Sequence, residues 1–184
     1  MTILQDPVYL KRLDCLTTTL PEETKTVSIY SLGERDALVW GNNKYLILAP
    51  TILLKKGTTS ENLSTELLNH RLTLYYLSAE GDEDANTLKL YLRYEISGIG
   101  GSSTEETDDK ESWASDYNVR YTNVSHVNLQ PIISMYKSTH SGSEPEKVTV
   151  EYEYNNSTSS IPTIAKKQTK TVTYNLYTET SSNN

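Results

Sequence analysis

Phenylalanine is absent from this 184-residue chain, cysteine occurs once, and tryptophan and methionine twice each. No apolar run comes near the roughly 18 residues a membrane-spanning helix needs. With Cys15 as the one thiol, an internal disulfide and a cysteine-based zinc site are excluded, and the residue reads as a small apolar filler. The opening Met1 to Pro7 shows no basic region followed by an apolar stretch, so the expectation is cytoplasmic synthesis without a leader or membrane anchor. Lys and Arg number 17 against 24 Asp and Glu, a net charge of −7. That balance disfavours binding to nucleic-acid phosphates, and pairs such as Lys55-Lys56 and Lys166-Lys167 are too small to reverse it.

What is abundant is tyrosine, with 14 residues, alongside 24 Thr, 20 Ser and 13 Asn. Tyr buries a ring while its hydroxyl seeks a polar partner, and Thr suits a half-solvated pleated strand. The composition is that of a β protein, and the length suits one domain over 1–184.

Periodicity adds detail. Asp6-Pro7 followed by Leu10, Leu13 and Leu16 predicts a short helix or an N-terminal arm within 1–20. Thr26 to Tyr30 alternates as a strand, and Ala37 to Trp40 joined to Tyr45 to Leu48 through Gly41-Asn42-Asn43 predicts a hairpin. Thr51 to Leu54 is a further apolar run, and Leu63 and Leu67 share one face of a helix after Ser60. Arg71 to Leu77 and Thr87 to Tyr94 form a strand pair across an acidic tip at Glu80 to Asn86. A polar loop spans 98–116, and Tyr117 to Tyr121 resumes alternation. Val124 to Ile133 reads as a strand that Pro131 confines to an edge or breaks. Lys147 to Tyr154 and Lys170 to Tyr177 predict a last hairpin, and 179–184 is a polar tail. No helix of sufficient length separates successive strands, so the expected fold is mainly β: an antiparallel β-sandwich or partly open barrel with one or two short helices and long polar loops.

Candidate sites are few. Asp82-x-Asp84-x-Asn86 resembles the start of a calcium loop but lacks its glycine and has Arg93 where the bidentate Glu belongs, so it reads as a solvated tip. Glu105, Glu106, Asp108, Asp109 and Glu111 read as a self-repelling loop. His70, His126 and His140 share no metal spacing, Gly98-x-Gly100-Gly101 lacks the phosphate-loop pattern, and no nucleophile elbow is present. Glu151 and Glu153 lie on one strand face about 7 Å apart, as alternating exposed carboxylates commonly do. No catalytic residue, metal or cofactor is therefore expected.

The sequence instead points to a non-enzymatic structural protein acting through subunit contacts. The composition matches bacteriophage virion components, such as head-tail connector (neck), tail or capsid-decorating proteins, with the finished protein residing in the virion. Partners would be copies of itself in a symmetric homo-oligomer and other virion proteins. Expected interface residues are Trp113, Tyr75, Tyr91, Tyr9, Leu10 and Leu13. The alternative is a carbohydrate-binding β-sandwich module that stacks sugars on Trp40, Trp113, Tyr75 and Tyr91.

Overall fold

The computed structural model describes residues 10–33, 37–77, 86–99, 112–155 and 162–177. Eleven strands and two α-helices follow one another: β1 (Lys11–Arg12), β2 (Cys15–Leu16), β3 (Ala37–Trp40), β4 (Tyr45–Leu48), β5 (Thr51–Lys55), α1 (Leu63–Leu67), β6 (His70–Tyr75), β7 (Thr87–Ile96), β8 (Tyr117–Thr122), β9 (Ser125–Asn128), α2 (Gln130–Thr139), β10 (Lys147–Asn155) and β11 (Lys167–Asn175). They form a five-stranded sheet ordered β11-β10-β7-β6-β2, a four-stranded sheet ordered β1-β9-β4-β3, and the pair β5-β8. The sheets stack as a sandwich and do not close into a barrel.

Alternation builds the core. Leu88, Leu90 and Leu92 of β7 and Val148 and Val150 of β10 are at most 1% exposed. Burial of each such side chain stabilises by about 1.5–3 kcal/mol. They meet Leu46 and Leu48 of β4, Ile52 and Leu54 of β5, and Tyr136 of α2 in one continuous cluster reaching from Leu13 to Leu176. The hairpin of β3 and β4 turns through Gly41, Asn42 and Asn43, all at positive φ (66°, 51° and 67°). A Cβ at position 41 would find ordinary contacts, 3.5 Å from Lys44 Cβ, so the conformation alone sets the cost of substitution. Gly41→Val is expected to cost about 1–2 kcal/mol in urea unfolding, with an unchanged denaturant slope.

Three expectations change. The N-terminal spacing of Leu10, Leu13 and Leu16 does not form a helix. Instead β1 pairs in parallel with β9 and β2 in parallel with β6, while buried Leu13 between them donates its N–H to His126 O at 2.8 Å. Tertiary pairing overrides a weak local preference. Residues 130–139 form helix α2 instead of continuing a strand or opening a loop, because Pro131 sits in the first turn, where its missing N–H does no harm. Ile132 and Tyr136 lie one turn apart and are both buried. Finally, β7 and β10 pair in parallel, Leu88 opposite Val148, so the large sheet is mixed. The excursion through β8, β9 and α2 is long enough to bring the chain back in the same direction. The segment 26–30 is extended but bonds as isolated links, Val27 N–H to Tyr94 O at 2.8 Å and Ile29 N–H to Glu153 O at 2.9 Å.

Candidate functional site

The structure assembles polar groups in three places, and the first resembles catalytic machinery. The Tyr94 hydroxyl hydrogen-bonds to His70 Nδ1, and Nε2 of the same ring lies 2.9 Å from Glu66 Oε1. Glu66 Oε1 also accepts the Lys55 N–H at 2.9 Å. In the neutral ring this network puts the proton on Nε2, donated to Glu66, and leaves Nδ1 to accept from Tyr94. Access to the Tyr94 hydroxyl is restricted. Tyr94 is 1% exposed, its hydroxyl reaches only Leu53 O at 3.4 Å beyond His70, and burial raises its pKa well above the ordinary value. The trio fastens α1 to β5 and β6.

Its electrostatics carry a testable consequence. Burial pushes the Glu66 carboxyl up, but the bonds from His70 and from the Lys55 N–H outweigh it and hold the pKa below the ordinary value. A depressed carboxylate stabilises the fold above its unfolded pKa, and that contribution is lost as pH falls through the folded value. Below about pH 4.3, stability of the native chain should therefore drop more steeply than that of Glu66→Gln, as read by urea midpoints across an acid series.

The second place is a ladder of charges on the outer face of the large sheet. Arg93 of β7 donates to Glu151 Oε1 at 2.7 Å, with its Nε 3.8 Å from Glu153 Oε1. Lys89 lies 3.7 Å from Glu151 Oε2, and Lys167 of β11 lies 3.1 Å from Glu153 Oε1. Lys167 also donates to the carbonyls of Glu23 and Thr26 and contacts the Thr26 hydroxyl, pinning the 3-10 turn Glu23–Lys25. A cleft of about 520 Å³ opens beside Glu153 and Lys167. The two carboxylates that alternate in the sequence are thus engaged by cations, and neither is placed as a free acid or base.

The third place is a cleft of about 450 Å³ between β1, β9 and the start of α2. Arg12 stands at its rim; His126, Asn128, Tyr45 and Cys15 supply the polar and polarisable wall, and Leu13 and Ile132 are among the apolar residues. His126 is 6% exposed and packs edge-on against Tyr45, ring centres 5.7 Å apart. Its Nδ1 is enclosed without a hydrogen-bond partner. An enclosed lone pair is tolerated better than an enclosed N–H, which places the proton of the neutral ring on Nε2. Burial pushes the Cys15 thiol up to about 12, which keeps it protonated near neutral pH. Among the described residues no group of three or more His, Cys, Asp or Glu side chains could hold a metal ion.

The rings expected at an interface lie elsewhere. Tyr75 and Tyr91 are 6% and 7% exposed, the latter beneath Lys89 and Arg93. Leu13 is buried, Leu10 is half-buried, and Trp113 is half-buried with its ring edge-on to Tyr117 at 5.9 Å. Tyr9, the acidic stretches 80–85 and 105–111 and the tail 179–184 lie outside the described residues. Trp40 sits on the other sheet, 6.0 Å from Tyr45, so the four rings named for sugar stacking form no common row. Sequence reasoning missed the cleft, because Arg12, Tyr45 and His126 converge only through the β1-β9-β4 order.

The fold has a counterpart among bacterial proteins. Over 96% of its length the chain is similar to the crystal structure of a "putative lipoprotein" from Bacteroides fragilis, with a TM-score of 0.68 and 19% identity, spanning 75% of that chain. That is a likeness of fold. An uncharacterized protein from Parabacteroides merdae (TM-score 0.48, 14% identity, 92% of this chain, 68% of that one) and a NigD-like immunity protein from Bacteroides caccae (0.42, 12%, 85% and 60%) are looser matches that carry no argument. No protein-family model and no curated protein sequence matches the chain.

This overturns the virion expectation and with it the virion location: the well-superposed neighbour bears the name of a bacterial lipoprotein, not of a particle component. The carbohydrate-module alternative falls too, since the neighbour is not so named and the rings do not align. Richness in Thr, Ser and Asn reports a solvated β surface, whatever the job of the fold beneath it.

Proposed function

We propose that the chain is a non-enzymatic ligand-binding domain of a bacterial cell-envelope protein of the lipoprotein kind, holding a small molecule in the cleft between Arg12 and His126. The observation that carries this reading is His126, a polar ring that is 6% exposed, makes no hydrogen bond among the described residues and lines the cleft. Buried polar groups in native folds are otherwise almost always partnered, and a group left open beside a cavity is available to a ligand. The fold likeness to the Bacteroides fragilis protein supports the envelope part. The non-enzymatic part is supported by the sealed Tyr94, the paired Glu151 and Glu153 and the protonated Cys15 thiol.

Titration of the ¹⁵N-labelled chain with a small-molecule fragment set tests the reading. Saturable shifts are expected at Arg12, Cys15, Tyr45, His126 and Asn128, and His126→Leu should abolish them while leaving the remaining spectrum in place. Shifts confined to other surfaces, or none with any fragment, would overturn it.

A further inference from the structure

We infer that the cleft recognises the carboxylate of a short organic acid with an apolar body, an assignment that rests on the binding reading above. Three donors belong to its lining, two of them, Arg12 and His126, directly opposite each other on paired strands. The Arg12 guanidinium makes no ion pair among the described residues, so its planar fork is available for a carboxylate. His126 presents its Nε2 proton, its other nitrogen being enclosed. The third is the positive end of α2, a ten-residue helix whose first turn edges the cleft at Pro131 and Ile132. There the Gln130 N–H is taken by Asn128 Oδ1 at 3.0 Å and Pro131 has none. The Ile132 N–H meets no acceptor among the described residues. Asn128 thus holds the helix start in place beside the ring.

The walls settle which oxyanion fits. No acidic side chain lines the cleft among the described residues, and the Lys44 ammonium stands 5.0 Å over the Tyr45 ring, so the local field is positive on a chain whose net charge is −7. One guanidinium among neutral donors matches a single negative charge and does not match the dianionic form of phosphate. Pro131 and Ile132 of the first turn of α2 edge the same cleft and supply apolar surface for an aliphatic body. A volume of about 450 Å³ is ample for a small acid.

The test compares isovalerate, its neutral isostere isovaleramide, inorganic phosphate and a tripeptide with a free C-terminus, each titrated into the ¹⁵N-labelled chain. Isovalerate is expected to shift the cleft amides saturably, and isovaleramide to bind at least about ten-fold more weakly, as loss of a charge-assisted pair implies. Arg12→Gln should weaken isovalerate by a similar factor, and Arg12→Lys should recover only part of it, since a point charge cannot replace a fork. Equal binding of the acid and its amide would overturn the carboxylate assignment while leaving the binding reading standing. Tighter phosphate would overturn it in favour of a dianion, and a tighter tripeptide would overturn the small-acid source. If neither these probes nor any fragment moves the cleft amides, both readings fail.

Discussion

Replacing Arg93 by alanine is expected to destabilise the fold by about 3–5 kcal/mol, the cost of removing one partner from a buried ion network. Arg93 is 7% exposed and sits between Glu151 and Glu153, whose side chains are 17% and 7% exposed. Without the guanidinium, Glu151 keeps only Lys89 at 3.7 Å, and Glu153 keeps Lys167 but already has an enclosed Oε2 without a partner. The loss should exceed that from Lys89→Ala, because that ammonium is 30% exposed and solvent screens it. Urea unfolding of the three proteins checks the order; an Arg93→Ala loss below about 1 kcal/mol would mean the ladder behaves as an ordinary surface pair. The double variant Arg93→Met, Glu153→Leu separates charge from packing. It should recover little of the stability, since it leaves the Lys167 ammonium, 8% exposed, without the carboxylate at 3.1 Å and Glu151 with Lys89 alone.

Tyr94 is the second position where a large effect is expected. Tyr94→Ala empties a site 1% exposed in the middle of the large sheet and should cost about 3–5 kcal/mol. Tyr94→Phe keeps the ring, which stacks on His70 with centres 5.9 Å apart, and removes only the hydroxyl. The loss should then be about 1–3 kcal/mol, the desolvation of a His70 Nδ1 left without its donor. Equal losses for the two variants would show that the hydroxyl, not the packing, dominates. A double-mutant cycle with Glu66→Gln then measures whether the relay acts as a unit.

Much of this fold was legible because its strands obey the alternation their burial requires. Leu88, Leu90 and Leu92 inward with Lys89 and Arg93 outward is a pattern that any sheet with one covered face imposes. The hairpin at Gly41 to Asn43 was equally readable, since few residue types accept three successive positive φ angles. Three features were hidden for physical reasons. β1 and β2 are too short to carry a period, and their pairing depends on partners far along the chain. Pro131 looks like a strand breaker until it is seen in a first helical turn. The parallel direction of β10 is set by the connection and leaves no trace in the strand's own residues.

The candidate site was less legible than the fold. Two rings expected to face a partner are covered by the chain's own side chains or sheet: Tyr75 is 6% exposed, and Tyr91 keeps to the outer face of β7 but lies under Lys89 and Arg93. His126 carries no local signal, and nothing around it in sequence distinguishes it from His140, which stacks on Tyr136 with ring centres 3.8 Å apart and hydrogen-bonds at the end of α2. What separates the two is company brought from elsewhere.

That separation has a consequence for when the cleft comes into being. β1 is held by β9, whose register opposes Lys11 to Ser125 and Arg12 to His126, so no part of the chain emerging early in synthesis can form the site alone. Such distant contacts close late, after the loop entropy between them has been overcome. The cleft therefore exists only once Arg12 has found a strand made long after it.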